Sequence, residues 1–241
     1  MKILAIGNSF TQDALRYLHD MAKARGVATK CVNLVIGGCS LERHYRNMLS
    51  EMPMYALEIN GEPTGFMVSL KAALASDCFD VVTVQQASHY SVKYETFQPY
   101  ITELATYIRR FQPHAKLYIQ QTWAYEDGSH RLVQEQGFAT HSDMFEKVQA
   151  SYHKAMLDIG ADGIIPSGRA MELGVLKGLK MHRDTFHAGL ATGRYLISLV
   201  WQQTLLGLSA KEDQFATFDT PLIKEEMEIL RECAYTACVE R

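Results

Sequence analysis

What most constrains the fold of this chain is a repeated change of period. Short apolar runs rich in β-branched residues alternate with longer stretches whose apolar residues recur every three or four positions. Lys2 to Ile6 is the first run, ended by Gly7, and Leu15, Leu18 and Met21 then fall on one helical face. Cys31 to Ile36 stops at Gly37-Gly38, Asp80 to Gln85 and Lys116 to Gln121 have the same short form, and Gly163 to Ile165 is followed by Pro166 and Gly168. Ile101, Leu104, Ile108 and Phe111 make one helical stripe between the third and fourth runs; Phe145, Val148, Tyr152, Met156 and Ile159 make another after Trp123. Strands buried on both faces and joined by amphipathic crossovers form a parallel sheet covered by helices on each side. The expected fold is therefore α/β: a three-layer, doubly wound sandwich around a five-stranded parallel sheet.

Asn60-Gly61, between two short apolar pieces, predicts a hairpin near 54–68, inserted before the third strand as a pocket wall. A helix from about Ala188 to Leu208 and another carrying Ile223, Met227, Leu230 and Ala234 complete the pattern. With no repeat, linker or low-complexity tract, residues 1–241 read as a single domain.

Charge narrows the partners. Lys and Arg number 24 against 27 Asp and Glu, a net −3 with pI near 6.3, which argues against a nucleic-acid binder. No apolar run approaches the roughly 20 residues of a membrane span, and no signal-peptide pattern precedes Ile3, so the expected location is cytoplasmic, with no membrane partner. Cys31, Cys39, Cys78, Cys233 and Cys238 are odd in number and lack a C-x-x-C pair, and they read as reduced thiols. Cys31, Cys78 and Cys233 adjoin apolar segments as small core residues, whereas Cys39 lies beside glycines in a site loop. His182 and His187 are five apart and no H-x-x-x-H occurs, so neither a metal nor a cofactor is assigned. Oligomeric state is not legible.

In such sheets ligands bind beyond the carboxyl ends of the strands. The loops there are polar: Gly7-Asn8-Ser9-Phe10-Thr11 after the first run, Gly37-Gly38-Cys39-Ser40 after the second and Gln85-Gln86-Ala87-Ser88-His89 after the third. Asp184-Thr185-Phe186-His187 opens the penultimate helix. A serine nucleophile needs a base, a group that orients the base, and donors for the developing oxyanion. Ser9 would attack, His187 would take its proton, and Asp184, three residues earlier, would hold the other imidazole nitrogen. The N–H groups of Ser9 and Gly38, with a side-chain amide from the third loop, would form the oxyanion hole. Each residue also has a plainer role. Ser9 or Asp184 could cap a helix, Gly37-Gly38 could be a tight turn, and Gln85 and Gln86 could satisfy strand-end backbone groups.

These residues resemble the blocks of SGNH (GDSL-type) hydrolases along most of the chain. Gly7-Asn8-Ser9 is similar to the first block, with Asn8 where the family usually has Asp; Gly38 falls at the second-block glycine; Asp184-x-x-His187 matches the last block. The third block departs from Gly-x-Asn-Asp. Gln85-Gln86-Ala87-Ser88 is closer to the Gln-Gly-Glu-Ser form of carbohydrate acetylesterases, which implies Gln85 as the oxyanion donor, whereas an ungapped comparison selects His89. Gln85 is preferred because an amide donates at any pH. The overall arrangement most resembles a poorly characterised bacterial branch, which implies a hydrolase without naming its substrate; the Gln-containing third block and the analogy with the wider family point to an esterase for small acyl groups, acetyl on a carbohydrate above all. Its partner would be a small-molecule or oligosaccharide ester, met by Gln86, His89 and Trp123, with Tyr90 and Tyr125 as further aromatic faces and Gln121 and Arg169 as polar lining. Two other readings stay open at this level. One is a flavodoxin-like protein binding phosphate or nucleotide at the first loop; the other is a carbohydrate-binding protein without turnover.

Overall fold

The computed structural model describes residues 1–240. Strands β1 (Lys2–Gly7), β2 (Lys30–Val35), β3 (Tyr55–Ile59), β4 (Glu62–Val68), β5 (Val81–Val84), β6 (Lys116–Gln120) and β7 (Gly163–Ile165) form one sheet in the order β4-β3-β2-β1-β5-β6-β7. Pairing from β2 through β1, β5 and β6 to β7 is parallel throughout. This is the expected five-stranded parallel sheet. The sheet has seven strands because the hairpin pairs with it, antiparallel, from Val32 opposite Ile59 to Val35 opposite Ala56. Asn60 and Gly61 both take positive φ, as a tight hairpin turn requires. The turn is fastened to β2, since Asn60 N–H donates to Cys31 O (2.8 Å) and Cys31 N–H to Asn60 Oδ1 (2.9 Å). The hairpin is a sheet edge, not a pocket wall.

Nine α-helices occur among the described residues: α1 (Ser9–Leu15), α2 (Leu18–Ala24), α3 (Leu41–Ser50), α4 (Leu70–Leu74), α5 (Tyr100–Phe111), α6 (His141–Ile159), α7 (Ser167–Leu176), α8 (Thr192–Leu206) and α9 (Lys224–Val239). Alternate strand residues enter two apolar layers. Leu4, Ile6, Leu34, Val82, Val84 and Ile119 pack under α3 to α6. Ile3, Ala5, Cys31, Val81 and Ile165 pack under α1, α2, α7, α8 and α9. The helix predicted through Leu15, Leu18 and Met21 is broken at Arg16-Tyr17, where the Tyr17 hydroxyl donates to Leu190 O at 2.6 Å. All three apolar residues still reach one layer. Cys31, Cys39 and Cys233 are buried free thiols, but Cys78 is exposed, contrary to its expected core role.

The N-terminal turn explains how β1 delivers a helix so abruptly. A Cβ on Gly7 would stand 2.4 Å from Thr11 Cγ2, so only glycine lets the first turn of α1 fold back on the strand end. No helix among the described residues is long and apolar enough to cross a membrane.

Candidate active site

Asn8 is extended and caps α1, its Oδ1 accepting from Phe10 N–H at 3.0 Å. Ser9 is thus the first helical residue and not the cap, and its hydroxyl is free for another partner. That partner is His187: Ser9 Oγ lies 2.8 Å from Nε2. Asn8 also accepts from Gln85 Nε2 at 2.8 Å and donates from Nδ2 to Cys39 O at 3.1 Å. One amide therefore ties together the loops after β1, β2 and β5. An aspartate could accept both bonds but could not donate to the Cys39 carbonyl, which is a physical reason for Asn here.

His187 is held from the other side by Asp184, with Nδ1 2.8 Å from Oδ2 and the backbone N–H 2.9 Å from Oδ1. Burial pushes the Asp184 carboxyl up, but hydrogen bonds from the His187 ring and from the His187 and Phe186 backbone outweigh it and leave its pKa lowered. An ionised Asp184 fixes the imidazole proton on Nδ1 and turns the Nε2 lone pair toward Ser9. The loop does not open α8, as the sequence suggested; α8 starts at Thr192. Instead Gly189 N–H donates to Met181 O (2.7 Å), Glu126 N–H to Thr185 O (2.8 Å) and Trp123 Nε1 to Phe186 O (2.8 Å). The Phe186 ring packs tilted against His187 with centroids 3.8 Å apart, and Arg131 lies 4.1 Å above Phe186.

Gly38 adopts φ +61° on an exposed turn. Neither its N–H nor that of Ser9 has an acceptor among the described residues. The third oxyanion donor expected from the sequence is placed differently. Gln85 is fully buried and its amide donates to Asn8, so it acts on Asn8 and does not face the open side of Ser9. Gln86 is likewise occupied, with Oε1 accepting from Leu41 N–H and Ala87 N–H and Nε2 donating to Thr96 O. Trp123 cannot stack on a sugar, because its ring is fully buried, parallel to Phe10 at 3.9 Å. His89 is exposed, its ring 4.1 Å from Tyr90, and burial together with Arg131 lowers its pKa. Tyr125 is buried and hydrogen-bonded to Ser88, and Gln121 Oε1 accepts from Arg169 N–H. Between the loops after β2 and β5 opens a cleft of about 280 Å³ bordered by Ser40, Glu42, Gln86, Tyr90, Thr96 and Tyr100.

Sequence reasoning overlooked two groups. Asp13, fully buried, binds Arg183 and Arg194; a carboxylate one turn after Ser9 among apolar neighbours was the available signal. His141 and Glu172 form a second, buried histidine–carboxylate pair at 3.0 Å. Their separation of 31 positions carries no motif.

The mostly parallel sheet covered by helices on both faces is the fold of the SGNH hydrolases. The chain itself belongs to a family defined only as a domain of unknown function, DUF4886, whose model matches residues 2–237. A DUF4886 family protein from Bacteroides uniformis is similar at 32% identity over 100% of this chain and 95% of that one, with a TM-score of 0.94. A protein from Slackia heliotrinireducens, assigned by inference to the SGNH hydrolases, is similar at 23% identity and a TM-score of 0.59, covering 85% and 98% of the two chains. An acetyl xylan esterase from Geobacillus stearothermophilus shares the fold at 14% identity and a TM-score of 0.54 over 84% and 93%. No curated protein matches the sequence.

Proposed function

We propose that this protein is a serine ester hydrolase acting on small acyl groups, with acetyl on a carbohydrate alcohol as the preferred class. The observation that carries the reading is the continuous chain Ser9 Oγ to His187 Nε2 to Nδ1 to Asp184 Oδ2, both links 2.8 Å. Ser9 Oγ attacks the acyl carbon while its proton passes to His187 Nε2. The oxyanion of the tetrahedral intermediate meets the N–H groups of Ser9 and Gly38. As the intermediate collapses, the alcohol oxygen leaves with the proton from Nε2 and the acyl group stays on Ser9. Water, deprotonated by the same nitrogen, releases the acid and restores Ser9. The cleft bordered by Ser40, Gln86 and Thr96, with Glu42 and Glu95 among its polar groups and Tyr90 and Tyr100 at its wall, suits a polyhydroxyl alcohol. The acetyl xylan esterase of like fold supports the acyl group. A phosphate bound at the first loop is disfavoured, because Asp184 would bring a carboxylate toward it.

The test compares p-nitrophenyl acetate hydrolysis by the parent and by Ser9→Ala, matched for concentration and folding. The variant should lose on the order of 10³-fold or more. Equal rates for both would remove Ser9 from the chemistry. Release of acetate from acetylated xylo-oligosaccharides, set against simple alkyl acetates, then tests the alcohol.

A further inference from the structure

Asp13 lies four residues after Ser9 on α1, and its side chain has no exposure to solvent. Arg183 NH1 donates to both of its oxygens, at 2.8 and 3.0 Å, and Arg194 Nε to Oδ1 at 2.9 Å. The same NH1 also reaches Ala188 O at 2.5 Å, and the Arg183 backbone N–H donates to His187 O at 3.0 Å. Arg183 therefore grips the successive carbonyls of His187 and Ala188 and delivers that grip to a carboxylate one turn from Ser9. Arg194, on α8, steadies the carboxylate and continues through NH1 to Asp219 at 2.7 Å, which Arg16 also binds. Removing a carboxylate and two guanidiniums from water is costly, and an apolar cluster of equal volume is commonly as stable. What an apolar cluster lacks is direction, whereas hydrogen bonds to both carboxylate oxygens define position and angle.

We infer that Asp13 and Arg183 are positioning residues: through them the helix that carries Ser9 sets the place of the loop that carries His187. Neither touches the reacting atoms. The inference rests on the esterase reading for its kinetic consequence, and on geometry alone for its effect on the loop. A displacement of the base by about 1 Å costs on the order of 10²-fold, so kcat should respond and KM should not.

The experiment uses Arg183→Met and Arg183→Lys in the full chain, with p-nitrophenyl acetate kinetics and amide hydrogen exchange over residues 183–188. Arg194 still binds the buried Asp13 carboxylate in both variants, and urea unfolding curves establish the folded fraction of each before its kinetics and exchange are compared. Arg183→Met should lower kcat about 10- to 100-fold with KM within about twofold, and exchange in 183–188 should quicken. Because one nitrogen makes all the side-chain bonds, Arg183→Lys should recover most of kcat. Asp13→Asn should shift kcat and exchange in the same direction as Arg183→Met. Unchanged kcat in Arg183→Met beside an active parent overturns the inference, as does a loss of kcat that Lys does not rescue at equal stability. Should the parent and Ser9→Ala prove equally inactive, the esterase reading falls by itself; faster exchange in Arg183→Met then still supports the tether, and unchanged exchange overturns it.

Discussion

Two histidine–carboxylate pairs of nearly the same length stand in this molecule, 2.8 Å between His187 and Asp184 and 3.0 Å between His141 and Glu172. Their surroundings differ. The first is open, with side-chain exposures of 18% and 47%; the second is sealed, at 1% and 6%. His187 presents its remaining nitrogen to a hydroxyl. His141 presents its remaining nitrogen, Nδ1, to the carbonyl of Tyr125 at 2.9 Å, an acceptor that requires a proton to stay where it is. Burial raises the Glu172 carboxyl, yet the neighbouring His141 imidazole and a hydrogen bond from Ser142 (2.5 Å) outweigh it and the pKa is lowered. Under the esterase reading a histidine beside a carboxylate is thus a base in one place and a rivet in the other, and the third partner decides which.

Substitution of the two imidazoles should separate these roles most widely. His187→Ala should cost on the order of 10³-fold or more in kcat/KM with little change in stability. His141→Ala strands a buried carboxylate and should cost about 3–5 kcal/mol, with the folded fraction retaining activity within a few-fold. Urea unfolding beside esterase kinetics reads both; a folded His141→Ala as inactive as His187→Ala would erase the distinction. The carboxylates should repeat the contrast on a smaller scale. Asp184→Asn should lower kcat by about 10²-fold or more and leave stability nearly unchanged, because the side chain is half-exposed and the Asn oxygen can still accept from the backbone.

The smallest effect is a dependence on pH next to the buried pair. His182 donates from Nε2 to Ala124 O at 3.0 Å, and its ring lies 5.8 Å from that of His141. Burial, then the neighbouring His141 charge, lower its pKa to about 4. In the unfolded chain the same imidazole takes a proton near 6.5. Between those values the unfolded state binds more protons, so stability falls as the pH falls, by up to about 1.4 kcal/mol per pH unit for this one group. His182→Gln should flatten that slope in unfolding curves measured from pH 7 to pH 4. Part of the slope should remain, since burial lowers buried His44 to about 3.

The parallel sheet was legible because strand and helix periods differ so sharply, Ser9 because it stands in the loop after the first parallel strand, and Asp184 and His187 by their Asp-x-x-His spacing, since their loop follows α7 and not a strand. What the sequence concealed was partner choice. Gln85 stands at the end of a buried strand, where an amide can face either substrate or a neighbouring loop, and Asn8 supplied the nearer acceptor. Trp123 read as a face for a sugar or as packing between helices, and its indole N–H on the Phe186 carbonyl with its face on Phe10 makes it packing. The Asn60-Gly61 turn was plain, but its docking to Cys31 was not, so the hairpin's place in the sheet was missed. Asp13 sat unremarked in a helix whose partners, Arg183 and Arg194, lie 170 and 181 positions away.

That last separation bears on when the protein can work. Ser9, Asp13, Ala14, Arg16 and Tyr17 take partners at His187, Arg183, Ser198, Asp219 and Leu190 in turn. A chain still being synthesised has no His187 to offer Ser9 until the 178 positions between them have followed. Under the esterase reading the nascent serine is chemically inert, and turnover reports on closure of the whole molecule, first helix against last third.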